Sequence, residues 1–258
     1  MRVAVLFDIH GNLPALEAVL GEIEGADVDL VVCGGDAVPG PFPCETLSLL
    51  RGFGAALRYV HGNGERNVLR SAEETASEDQ LAAQARWCAE QLSPEELACL
   101  VALPATVTLA VDGLGDVLFC HGTPRSDEEI VTLVTPDERL RAILAGVREP
   151  VVVAGHTHSQ LDRTVGATRF VNGGSIGMPY EHEQGAYWAI LGPDLELRRT
   201  TYDAQRAADR IRATGFPDAP QFAEEYVLSY SRPDETAPFF EEMAVERDRA
   251  AQSANSEK

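Results

Sequence analysis

Val3-Ala4-Val5-Leu6-Phe7-Asp8-Ile9-His10-Gly11-Asn12-Leu13-Pro14-Ala15-Leu16-Glu17-Ala18-Val19-Leu20 stands near the start of the chain. An unbroken apolar run rich in β-branching stops at an aspartate, Gly11-Asn12 supplies a turn, and Pro14 falls where the first turn of a helix tolerates proline. The stretch therefore reads as a buried strand followed by a helix, the first part of a β-α unit. The order then repeats. Leu30 to Cys33 is a second buried strand ending in Gly34-Gly35-Asp36, Glu45 to Gly52 supplies a helix, and Leu57 to Val60 is a third strand ending in His61-Gly62-Asn63-Gly64-Glu65. Such alternation predicts a parallel sheet in an α/β fold.

Further along, residues 66–102 carry helical signals, among them Ser93-Pro94-Glu95-Glu96, a cap followed by proline and two acids in the first turn. Ala105 to Val111 and Asp116 to Cys120 flank Asp112-Gly113, a hairpin turn signal. Pro136 to Leu144 reads as helix and Val151 to Ala154 as a buried strand. Beyond Gly155 the chain becomes strand-rich, over Leu161 to Val165, Thr168 to Val171, Tyr187 to Leu191 and Leu195 to Tyr202. From Ala204 it is helical and acidic, with fraying expected over Gln252 to Lys258. Neither an internal repeat nor a Pro-, Gly- or Ser-rich linker divides it. The expected organisation is a core over residues 1–203, including the helical insertion 66–102, with a C-terminal helical extension over 204–258 packed on the same domain.

With 258 residues, 45% hydrophobic and 24% charged, the composition is that of a soluble globular protein. Asp and Glu number 41 against 21 Lys and Arg, a net charge of -20. That balance disfavours a nucleic-acid polymer as partner, because polymer binding leans on neutralising phosphates with basic side chains. Phosphate chemistry here needs a local source of positive charge, which bound metal ions can supply. The five cysteines (Cys33, Cys44, Cys88, Cys99, Cys120) are odd in number and never in C-x-x-C, which argues against a disulfide framework and a thiolate zinc cluster. A reducing, cytoplasmic setting is expected. The N-terminal apolar run is too short for a signal-peptide core, and no other run approaches a membrane span.

The polar residues that matter fall where predicted strands stop. Asp8 and His10 follow the first strand, Asp36 the second, Asn63 the third, His121 the hairpin strand, and His156 and His158 the strand Val151 to Ala154. In a parallel sheet these are carboxyl ends, where side chains converge on one crevice. Imidazoles, carboxylates and a carboxamide together suit Mn, Fe or Zn, whereas an all-oxygen Mg or Ca site needs no histidine cluster. Seven such donors exceed the needs of one tetrahedral ion and match two divalent ions with positions left for water and substrate.

Asp8-Ile9-His10-Gly11-Asn12, Gly34-Gly35-Asp36, Gly62-Asn63-Gly64-Glu65, His121-Gly122 and Gly155-His156-Thr157-His158 resemble, in order, the five motifs of the calcineurin-like metallophosphoesterases. The resemblance covers roughly residues 1–200. Asn172-Gly173-Gly174-Ser175-Ile176-Gly177-Met178-Pro179 is similar to a loop of that family's small bacterial single-domain branch. The resemblance implies a pair of facing β-sheets flanked by helices. It also implies a first ion held by Asp8, His10 and His158, a second by Asn63, His121 and His156, and Asp36 between them, with a shared hydroxide attacking phosphorus.

One position departs from the pattern. Most of the family has histidine after the asparagine of G-N-H, near the substrate; this chain has Gly64. Altered members lean toward phosphodiesters, so a diesterase of small esters is expected. The rival readings are a phosphomonoesterase acting on protein or metabolite phosphate, and a metal-binding scaffold without catalysis. His61 and His182 are candidate stand-ins for the missing histidine. The stretch Tyr180-Glu181-His182-Glu183-Gln184-Gly185 also departs from the branch, which has arginine there.

Other residues carry two readings each. Arg66 and Arg125 read either as phosphate-binding forks or as partners in surface ion pairs. Glu65 either orients a metal ligand or begins a helix. Cys33, Cys120, Trp87 and Trp188 read as core, and Glu73 to Asp79 as a solvated helix face. The helical insertion and the C-terminal helices either cap the crevice or form a homo-oligomer interface.

Overall fold

Strand β1 (Val3–Leu6) pairs in parallel with β2 (Leu30–Cys33), and β2 with β3 (Leu57–Tyr59), in the computed structural model, which describes residues 1–73 and 79–256. Helices α1 (Leu13–Ile23) and α2 (Pro43–Arg51) connect them, and α3 (Asn63–Glu73), α4 (Gln80–Gln91) and α5 (Pro94–Val101) follow. Next come the hairpin β4 (Thr106–Val111) and β5 (Gly115–Cys120), then α6 (Asp137–Ile143), β6 (Val151–Ala154), β7 (Leu161–Val165), β8 (Thr168–Asn172), β9 (Ala186–Leu191) and β10 (Leu195–Thr200). The chain finishes with α7 (Ala204–Arg212), α8 (Ala219–Ala223), a π-helical turn over Glu224–Leu228, and α9 (Pro233–Ser256).

Among the described residues the strands form two mixed five-stranded sheets, ordered β10-β9-β1-β2-β3 and β4-β5-β6-β8-β7. The alternation of side chains across each strand sets the layers. Val3, Val5 and Phe7 point into an inter-sheet core with Val32, Phe119, Val153 and Val171, while Ala4, Leu6 and Cys33 face outward under helices. On the far face of the second sheet, Val152, Ala154 and Phe170 meet Leu140 and Ile143 of α6. Two facing sheets flanked by helices result, as the motifs implied, and apolar runs such as Val3–Leu6 are unbroken because both their faces are covered. Cys33, Cys120 and Trp188 are buried core residues. Trp87 is partly buried, edge-on to Phe216 at 5.5 Å.

Local signals act where the sequence places them. The Asn12 side chain caps α1 by accepting from the Ala15 amide at 3.3 Å, and Ser93 and Glu96 form a reciprocal capping box on α5. Phe7 shows why glycine recurs in the motifs: its ring fills the space that a β-carbon on Gly34, Gly155 or Gly173 would occupy, at 1.8, 2.5 and 2.8 Å. One aromatic ring thus draws the ends of β2, β6 and β8 around β1. The hydrophobic cluster outside the first sheet continues into Ile211, Phe216 and Phe222; Arg210 of α7 pairs with Glu17 of α1 at 2.6 Å, and Phe216, just before α8, meets Trp87 of α4. Helix α9 runs through Ser256, and residues 257–258, the end of the stretch expected to fray, lie outside the described residues. Of the acidic stretch 73–79, residues 74–78 lie outside the described residues. Among the described residues no helix is long and apolar enough to cross a membrane.

Candidate metal centre and substrate cleft

The loops after β1, β2, β5 and β6 and the start of α3 bring the seven donor-type residues to one crevice. Two groups have ligand atoms within 4.8 Å of one another: Asp8, His10 and His158, and Asp8, Asp36 and His121. Asp8 Oδ1 lies 3.3 Å from His158 Nε2, 3.8 Å from His121 Nε2 and 4.0 Å from His10 Nε2. Asp36 spans the groups with different oxygens, Oδ2 at 3.8 Å from His10 and Oδ1 at 3.5 Å from His121. Asn63 Oδ1 approaches His121 Nε2 at 3.1 Å, and the His156 ring lies 5.1 Å from that of His121.

The backbone is strained to make this convergence. Asp8, His10, Asp36, His156 and His158 have φ of 50, 45, 53, 70 and 58°, five of the seven non-glycine residues with positive φ among the described residues. Each costs about 1–3 kcal/mol unless its surroundings enforce it. Here they do. His10 N donates to Asp36 O at 2.9 Å, Asp8 N to Gly35 O at 3.1 Å, and His156 N to the Asp8 carboxylate at 2.9 Å. Ser175 Oγ donates to Asp8 O at 2.8 Å, which fixes the Asn172–Pro179 loop beneath the centre.

Glu65 organises the other side. Fully buried, its carboxylate accepts from the amides of Asp36 (2.8 Å), Ala37 (2.8 Å), Val38 (3.3 Å) and Gly62 (2.7 Å) and from the Tyr59 hydroxyl (2.8 Å). It ties the loop bearing Asp36 to the turn bearing Asn63, and does not face the crevice opening.

The donor set fits a pair of cations. Asp8 Oδ1 is buried without a hydrogen-bond partner. His121 Nδ1 faces Gly34 O at 3.0 Å and His158 Nδ1 faces Met178 O at 2.8 Å, bonds that leave the neutral rings' Nε2 lone pairs pointing into the centre. His10 Nε2 and His158 Nε2 then stand 3.3 Å apart. Two lone pairs so close repel unless a proton or a metal ion lies between them.

The protonation of the ion-free centre follows from the same crowding. Burial and the nearby His158 push His10 down to about 3, and burial with His121 does the same to His156. Burial, with Glu65 and Asp8 adding repulsion that His121 only partly offsets, raises Asp36 to about 7. For Asp8, burial works against the charge, but His158, His121 and His10 outweigh it and hold the carboxyl well below its ordinary range. Burial likewise opposes charge on His121 and His158, yet the carboxylates raise both, Asp36 and Asp8 acting on His121 and Asp8 on His158. Protons thus collect on some of the donors that a metal would use. Two Asp/His clusters sharing a carboxylate are consistent with a dinuclear metal site.

A cleft of about 260 Å³ opens beside His10, Asp36 and Asn63. Its outer wall comes from Gln84 of α4, Asn67 of α3, and Phe222, Glu225 and Tyr226 of α8 and the π-helical turn. The insertion and the C-terminal helices therefore line the crevice. Asn67 follows Asn63 by one helical turn, a spacing legible in the sequence; nothing local pointed to Phe222 or Tyr226. Tyr180, also not anticipated, stacks on His158 at 5.2 Å.

The remaining candidates lie elsewhere. Arg66 grips Asp127 at 3.0 and 3.1 Å and Glu128 at 2.6 Å, and Arg125 is held by Glu129 at 2.5 and 2.8 Å. Both guanidiniums are in ion pairs. His61 stands 3.4 Å from Asp127, and His182 is exposed, 4.0 Å from Asp234. Neither lines the cleft. At Gly64 the backbone itself fills the space: its amide donates to Asp36 Oδ1 at 2.6 Å, and a β-carbon would meet Val38 O at 2.2 Å.

Fold and site together define a metallophosphoesterase, and comparison with known proteins agrees. The calcineurin-like phosphoesterase superfamily domain matches residues 1–193, so the chain belongs to that superfamily and is a phosphoesterase-family hydrolase. An uncharacterised protein of Methanocaldococcus jannaschii is 26% identical over 235 residues, 84% of this chain and 94% of that protein. The crystal structure of a metallophosphoesterase from Sphaerobacter thermophilus superposes with a TM-score of 0.70 at 25% identity, over 87% of this chain and 97% of that one. A hypothetical protein from Pyrococcus horikoshii OT3 gives a TM-score of 0.76 at 23% identity, over 89% and 99%.

Proposed function

We propose that this protein is a dinuclear metal-dependent phosphodiesterase of small phosphate esters. The observation that carries the reading is the pair of Asp/His groups meeting at the buried, partnerless Asp8 Oδ1. Asp8, His10 and His158 would hold one ion and Asn63, His121 and His156 the other, with Asp36, whose carboxylate lies between His10 and His121, shared by the two groups. Two divalent ions, when bound, lower the pKa of a water and absorb charge on phosphoryl oxygens. Mn, Fe and Zn suit the mixed nitrogen and oxygen donors. Glu65 positions Asp36 and the Asn63 turn through the amides it accepts from. The core over residues 1–203 supplies this centre, and the extension over 204–258 supplies part of the cleft.

The diester preference rests on Gly64 and on the cleft's charge. No imidazole stands at position 64 to assist a poor leaving group. Among the described residues lining the cleft there is no arginine or lysine, while Glu225 is present, a setting better suited to a singly charged diester than to a dianionic monoester. The -20 net charge further favours small esters over polyanions.

The test is metal content of the purified protein by mass spectrometry, followed by rates on bis-p-nitrophenyl phosphate and p-nitrophenyl phosphate with Mn, Fe or Zn. A metal-dependent preference for the diester is expected. Faster monoester hydrolysis would shift the reading to a phosphomonoesterase. Trace metal with no activity on either ester would leave a scaffold without catalysis.

A further inference from the structure

The wall of the cleft differs in chemistry from the centre beside it. Besides Asn63, four carboxamides reach it from three helices, Asn67 on α3, Gln80 and Gln84 on α4 and Gln221 on α8, and each offers both a donor and an acceptor. Phe222, buried, meets the half-buried Tyr226 edge to face at 5.2 Å, and the two supply aromatic lining to the cleft. Gln221 Nε2 donates to Glu225 Oε1 at 2.9 Å, which fixes an acid at the same wall. The cation needed to hold a second phosphate is absent from the described lining residues, and Glu225 repels one.

Aromatic lining beside paired donors and acceptors, without positive charge, is chemistry that complements a nucleobase. At about 260 Å³ the cleft is close to the usual lower bound for ligand pockets, about 300 Å³, which gives room for one ring system. We propose that the cleft takes the base of a nucleoside phosphodiester, with Asn67, Gln84 and Gln221 reading its edge, the aromatic pair contacting its face, and Glu225 excluding esters that carry a further phosphate. The proposal rests on the phosphodiesterase reading and adds the substrate class.

Two chromogenic diesters with the same leaving group and the same charge test it: thymidine 5′-(p-nitrophenyl phosphate) and methyl p-nitrophenyl phosphate. Hydrolysis of both is measured with the Mn-loaded protein, and equilibrium binding of both with the metal-free protein. The expected result is a kcat/KM and an affinity roughly ten-fold or more in favour of the thymidine ester. That ratio should collapse toward one in the Gln84→Ala/Gln221→Ala double variant, whereas a merely structural role for these residues would lower both esters together.

Hydrolysis of both esters at equal rates overturns the proposal and leaves the phosphodiesterase reading standing. If neither ester is cleaved, that reading falls. Binding then decides: tighter binding of the thymidine ester upholds a base-binding cleft, and equal binding overturns it.

Discussion

The floor and the wall of the crevice are built in opposite ways. Asp8, Asp36 and His121 on the floor are almost fully buried, stand at strand ends, and are locked by backbone hydrogen bonds and by an inter-sheet core threaded around Phe7. The wall side chains Asn67, Gln84 and Tyr226 are only partly buried and ride on helices far apart in the chain. Chemistry is thus held by the sheets, where sub-ångström placement is enforced. The wall is held by helices whose side chains can change without disturbing the floor.

The sharpest break in that contrast comes from the floor. Asp36→Asn should cost on the order of 1,000-fold in metal-dependent turnover, because the residue spanning both histidine groups loses its charge. Metal content measured alongside should fall; an active variant with full metal content would remove Asp36 from the centre. Glu65→Ala leaves four amides and a hydroxyl without their acceptor, so metal affinity should drop about 10–100-fold and stability on the order of 3 kcal/mol, read by metal titration and thermal unfolding.

The protonation of the floor sets a third test. Metal must displace the proton that burial holds on Asp36 up to about pH 7, and the protons that the carboxylates favour on His121 and His158. His10 and His156, at about 3, are already neutral near pH 7, each with one ring lone pair available. Affinity for Mn should therefore be weaker at pH 6 than at pH 8, on the order of ten-fold, with proton release that is larger at pH 6. Calorimetry in buffers of different ionisation enthalpy reads both, and an affinity flat across that window would contradict the donor set. The smallest effect belongs to neither floor nor wall: Arg125→Ala, which breaks a surface pair with Glu129, should change kcat/KM less than about two-fold and stability by about 1 kcal/mol or less.

The same contrast explains what the sequence revealed. Strand ends such as Val3–Asp8 and Leu30–Asp36 join an apolar run, a glycine and a donor within a few residues, so fold and centre are both legible there. The role of Glu65 was open between helix start and support, because three of its five donors, the amides of Asp36, Ala37 and Val38, come from the loop after β2, whose meeting with α3 is tertiary. Arg66 and Arg125 were ambiguous for a similar reason, since their partners are identified only once the loop 127–129 is placed. The wall was illegible: Gln84 and Tyr226 share a cleft only after α7 and α8 pack back on the first sheet. Gly64 read as a lost side chain, whereas in this structure its peptide approaches Val38 and Asp36 so closely that a β-carbon would have to displace Val38 O.

The five left-handed residues of the floor have an evolutionary consequence. Glycine at position 8, 10, 36, 156 or 158 would relieve backbone strain at once, so mutation without selection for the centre would be drawn toward glycine at these sites. A lineage using this fold only as a platform would stand to gain stability by abandoning them. Aspartate or histidine stands at all five, the residue types that the proposed centre would need.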